Sequence, residues 1–87
     1  MLLTNMLEFL LIGHICWTNP IDVDSCQQII IRDAISYPDC TIKFTSRVTR
    51  EKAKIEKKGL SVTSIDGYCF QLEEGVDKFM HLSYDIK

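Results

Sequence analysis

The chain has 87 residues, 46% of them hydrophobic and 25% charged, with a formal net charge of −2. That length gives one domain with a modest core, and the composition is that of a globular chain, not a disordered one. The net charge argues against a generally basic nucleic-acid binder, but its distribution is uneven. Residues 1–40 carry one basic and five acidic side chains (−4), residues 41–58 seven and two (+5), and residues 59–87 two and five (−3). A single cationic segment between two acidic ones orients a molecule towards a polyanion or an acidic protein.

Residues 2–17 place apolar side chains at 3, 7, 10, 11 and 15, the spacing of a buried helix. Thr4 is positioned to cap it, and Thr18-Asn19-Pro20 ends it. Glu8 and His14 interrupt the apolar run and no Lys or Arg precedes it, which suits neither a membrane span nor a signal peptide. A second helix is expected from Asp24, with Gln27 placed to reach back in a capping box. Val23, Cys26, Ile29, Ile30 and Ala34 would form its apolar face, and Tyr37-Pro38 its end. The run Ile29-Ile30-Ile31 also suits a short buried strand; the cap before it and the proline after it favour helix.

Residues 41–58 contain neither Gly nor Pro and follow two candidate caps, Asp39 and Thr41. At helical spacing Phe44, Val48 and Ile55 fall within roughly 40° of one another, while Arg47, Arg50, Lys54 and Lys57 fall within roughly 80° on the far side. Gly59 stands where a left-handed C-terminal glycine belongs, after Lys57 and Lys58. Two β-rich runs, 60–65 and 68–72, then flank Asp66-Gly67, a pair favoured in two-residue hairpins. Glu73-Glu74-Gly75 marks a turn, residues 76–80 suit a helical turn, and Met80, Leu82, Tyr84 and Ile86 alternate as a final strand does.

Chemistry-bearing patterns are sparse. Cys16, Cys26, Cys40 and Cys69 form no CxxC pair and no paired-ligand pattern, so a zinc site has weak support. Cys16 and Cys26 read as small core residues, and the protein as cytoplasmic with reduced thiols; the even count also fits two disulfides in a secreted one. There is no glycine-rich phosphate loop and no GxSxG. His14 and His81 lie far apart in sequence. No catalytic, metal or cofactor site is expected, and the protein is not read as an enzyme.

Helix, helix, basic helix and hairpin together resemble a winged helix-turn-helix. Thr45-Ser46-Arg47-Val48, Val62-Thr63 and Gly67-Tyr68-Cys69-Phe70 are similar to the end of an OmpR/ToxR-type effector domain, and Leu3-Thr4 before Glu8 to the start of its first helix. Ile55-Glu56-Lys57-Lys58-Gly59-Leu60 resembles, more weakly, the helix-to-wing junction of MarR-like winged helices. The expected fold is therefore α+β: one domain over 1–87, three helices, a two-stranded β-hairpin wing and a short C-terminal strand or helix. The expected function is DNA binding by a small transcriptional regulator that inserts helix 41–58 into the major groove of double-stranded DNA. Arg47, Arg50, Lys54, Lys57, Lys58, Ser46, Thr49, Thr63 and Ser64 would make the contacts, with a homodimer admitted and no membrane involved. The alternative is a protein-interaction module or inhibitor, phage- or plasmid-encoded for example, that sets the same basic face on an acidic protein partner.

Overall fold

A computed structural model describes residues 8–21, 23–73 and 76–86. Five elements follow in order: β1 (Glu8–Thr18), β2 (Asp24–Ala34), α1 (Tyr37–Lys57), β3 (Ser61–Glu73) and β4 (Val76–Ser83). The strands form one antiparallel sheet in the order β2-β1-β3-β4, with α1 laid across one face. The two central strands, β1 and β3, pair directly, while the chain that connects them runs through β2 and the helix.

Period-2 alternation explains which side chains meet α1. Phe9, Leu11 and Ile15 of β1, Ile29 of β2, Ile65 and Cys69 of β3 and Leu82 of β4 are buried beneath Cys40, Phe44, Val48 and Ile55 of the helix. Gly13 and Gly67 stand directly opposite each other in the β1–β3 register, under Phe44. A Cβ on Gly67 would lie 2.8 Å from the Ile12 carbonyl oxygen and 3.1 Å from Phe44 Cε1, and one on Gly13 3.2 Å from the same ring carbon. The paired glycines form a dent that lets the ring approach the sheet. Two irregularities break the alternation: β2 holds an extra residue between the partners of Phe9 and Leu11, and β3 one at Thr63, between the partners of Cys16 and Trp17.

Two disulfides fix this frame. Cys16 and Cys26 are register partners on β1 and β2, and Cys40–Cys69 ties the first turns of α1 to β3. The expected reduced thiols are therefore corrected: among the described residues no cysteine is free.

The winged helix-turn-helix is also corrected: one helix packs on four strands, where three helices and a hairpin were expected. The expected first helix is strand β1. Its alternating positions Leu10 and Ile12 are apolar as well as Leu11 and Ile15, so strand periodicity was hidden beneath a pattern that also satisfies a helix. The expected second helix is strand β2, for which three consecutive β-branched isoleucines are well suited. Tyr37-Pro38 opens α1 instead of closing a helix, because a proline in the first turn lacks only an N–H that would go unsatisfied there. Asp66-Gly67 is no hairpin tip: β3 runs straight through it, since Gly67 serves the approach of Phe44 and not a turn. The likeness to OmpR/ToxR-type and MarR-like domains falls with these elements. The cap at Thr4 and the turn at Glu74-Gly75 lie outside the described residues; Glu73 pairs with Val76, and residues 76–80 are strand, not helix. Phe44, Val48 and Ile55 are buried as expected, but against a sheet, and Gly59 does adopt φ 84° after the helix.

Candidate interaction surfaces

The first surface is the cationic flank of α1. Ser36 caps the helix, its Oγ accepting from the Asp39 N–H at 3.1 Å, while Asp39 Oδ2 accepts from the Ile35 N–H at 3.0 Å. The buried stripe of Cys40, Phe44, Val48, Glu51 and Ile55 sets the rotation of the helix. Helical spacing then gathers Lys43, Arg47, Arg50, Lys54 and Lys57 on the flank and outer side that lead towards β2, and Lys58 follows as the C-cap.

Several of these charges are already engaged. Arg47 Nε donates to Glu51 Oε2 at 3.2 Å, and Lys54 Nζ lies 3.7 Å from the same buried carboxylate. Lys52 pairs with Glu56 at 3.0 Å. Lys43 Nζ sits 3.4 Å from both Asp33 and Asp39 and donates to the Asp33 carbonyl at 2.8 Å. Desolvation alone would lower the Lys43 pKa, but hydrogen bonds and charge from Asp39 and Asp33 outweigh it and hold it above the ordinary lysine value.

Between α1 and β2 runs an open groove of about 330 Å³ lined by Ile31, Asp33, Ile42, Lys43, Ser46, Arg47 and Arg50. Ile31 and the exposed Ile42 are its apolar lining, its helical wall is cationic, and its far rim is β2, an edge strand whose outward N–H and C=O groups no neighbouring strand takes up among the described residues. Of the residues expected to bind, Ser46, Arg47 and Arg50 line this groove, Lys54 and Lys57 continue its cationic wall along the exposed helix, and Lys58 is the exposed C-cap beyond it. Thr49 does not join them: its hydroxyl is 2.9 Å from the Tyr84 hydroxyl on the β4 side. Thr63 is the extra residue of β3, and Ser64 is the partner of Cys16 on the face of the sheet away from α1.

The second surface is that other face. There β1 presents Leu10 and Ile12, β2 Ile30, β3 Tyr68, Phe70 and Leu72, and β4 Phe79 and His81. Tyr68 has ring centroids 6.0 Å from Phe70, 5.7 Å from Phe79 and 5.1 Å from His81, and Phe70 lies 5.9 Å from Phe79. Phe79 is 61% exposed, Leu72 50%, Ile30 46% and Tyr68 38%. At one end Asp66 lies 3.8 Å from His81 Nε2 and pairs in register with His14. Period-2 spacing already puts Tyr68, Phe70 and Leu72 on one face of β3, but it does not say which face the helix covers. The available signal was that Ile65 and Cys69 supply a second apolar face on the same strand, more than one helix can cover.

Among the described residues no group of His, Cys, Asp or Glu is arranged to hold a metal ion, and no helix is long and apolar enough to cross a membrane. No known protein family, curated protein or solved structure is detectably similar to this chain.

Proposed function

We propose that the protein is a disulfide-stabilised protein-interaction module that takes an acidic, extended segment of a partner into the groove between α1 and β2. The observation that carries this is the juxtaposition of Arg47 and Arg50 with the edge strand β2 in a groove that Ile31 and the exposed Ile42 also line. An added strand would pair with the β2 backbone, as extended peptides do on exposed sheet edges. Its alternate side chains would drop into the groove, where Arg50 and the terminal nitrogens of Arg47 can meet carboxylates. The central part of β2, Cys26-Gln27-Gln28-Ile29-Ile30-Ile31, has neither charge nor proline to repel such pairing.

Insertion of α1 into duplex DNA is less well supported. Four acidic side chains, Asp33, Asp39, Glu51 and Glu56, already occupy Lys43, Arg47, Lys54 and Lys52. Phosphate binding would leave Ile31, Ile42 and the edge strand without a role. Two disulfides suit an oxidising compartment, where a secreted interaction domain would act, better than the cytoplasm.

The test titrates isotope-labelled protein with an extended peptide of alternating acidic and apolar residues, a neutral peptide of the same apolar pattern, and mixed-sequence duplex DNA, at about 50 mM salt. Amide shifts confined to residues 27–33 and 42–50, seen with the acidic peptide only and weakened at least tenfold by Arg50→Glu, are expected. Tighter binding to the duplex, with a log–log salt slope near −0.9 per phosphate contact, would assign the flank to nucleic acid. Absence of binding to all three ligands would remove the groove as a site.

A further inference from the structure

We infer that the bare face of the sheet is a dimer interface occupied by a second copy of this chain. Among the described residues the sheet is a single layer, covered by α1 on one side only. A soluble domain seldom leaves an apolar patch larger than a few hundred Å² uncovered. Here Ile12, Ile30, Tyr68, Phe70, Leu72 and Phe79 are contiguous across all four strands.

Three features select a second copy as the cover. The first is area. With strands about 4.8 Å apart and about 3.4 Å of rise per residue, the four strands present roughly 650 Å². Two such faces closed together remove roughly 1,300 Å², within the range of about 1,200–2,000 Å² for specific interfaces. The second is anatomy. An aromatic and aliphatic centre has His14, Gln28, Asp66 and His81 at one end and Glu8, the register partner of Leu72, at the other, so that polar side chains flank it along the strands as at the rim of a protein interface. The third is charge. The face offers no cation row for phosphate or anionic lipid, and its Asp66 is already beside His81 and opposite His14, so a copy meets no like-charge barrier at the centre. Two sheets of the same twist pack face to face about 10 Å apart. A twofold axis between them makes the contact self-complementary and leaves both basic flanks of α1 facing outward.

Sedimentation equilibrium of the oxidised protein across about 1–200 µM measures the association. A species of twice 10.0 kDa is expected. Phe79→Glu and Ile30→Glu, which place a charge on already exposed positions of two different strands, should each weaken dimerisation at least tenfold with the far-UV spectrum retained. Isotope-filtered contacts between labelled and unlabelled copies should join the Tyr68 and Phe79 rings. A wild-type protein that stays monomeric throughout overturns the inference, and its sedimentation with neutral phosphatidylcholine vesicles would instead give the face to lipid. A dimer equally strong in both folded variants overturns it too, by placing the contact elsewhere.

Discussion

The two glycines under Phe44 show how much of the molecule turns on single atoms. Gly67 sits in mid-strand, where glycine ordinarily weakens a sheet for want of a side chain to pack. It is needed because the atoms a Cβ would strike are mainly backbone: the Ile12 carbonyl at 2.8 Å and Gly13 Cα at 3.0 Å. Neither can step aside without moving β1. At Gly13 the closest obstacle is the Phe44 ring, at 3.2 Å, which can tilt. Gly67→Ala should therefore destabilise by about 1–3 kcal/mol or more, the overpacking range, and Gly13→Ala by clearly less. Equilibrium denaturation of the two variants decides it; equal losses would mean that the Phe44 ring and not the β1 backbone is the limit.

At the scale of elements, α1 is the part most legible in the sequence and β1 the least. The helix has one apolar stripe and one cationic one, so a single period accounts for it, and Gly59 marks its end. Its start was misplaced by four residues, since Ser36 caps and Pro38 follows in the first turn, whereas Thr41 lies inside the helix with its hydroxyl 3.3 Å from the Tyr37 carbonyl. Ser36→Ala should cost about 0.5–2 kcal/mol and Thr41→Ala should be near neutral in thermal melts. The reverse order would restore Thr41 as the cap. The strands were harder to read for a common reason. β1 and β3 carry apolar residues on both faces, which erases the alternation by which a half-buried strand is recognised. The cationic row was legible because it lies on one helix; the groove was not, because Ile31 and Asp33 come from a strand that the sequence hid. The aromatic face combines residues of β3 and β4 with β1 and β2 and required the sheet order itself.

For the molecule as a whole, covalent links supplement a core that 87 residues can only partly provide. Cys40–Cys69 spans 29 residues and Cys16–Cys26 spans 10. Loop-closure entropy assigns them roughly 3.6 and 2.7 kcal/mol respectively. Cys40 and Cys69 are also wholly buried between helix and sheet, while Cys26 is exposed at the edge. Removing the longer link by Cys40→Ala with Cys69→Ala should lower the melting temperature more than Cys16→Ser with Cys26→Ser does. Thiol counting on the denatured, unreduced protein should find none of the four free, and four free thiols would refute both links.

The strand order has a kinetic consequence as well. β1–β2 and β3–β4 are neighbours in sequence and can zip as local hairpins, but the central β1–β3 seam sets Glu8 beside Leu72. Because loop closure must precede such distant pairing, this seam is the natural late step of folding. During synthesis, β1 emerges with two apolar faces long before β3 exists to receive it. Closing Cys16–Cys26 at that stage would hold β1 in register with β2 while the rest of the chain arrives, and a chain denied that bond should lose more of its yield to aggregation than its equilibrium stability alone would suggest.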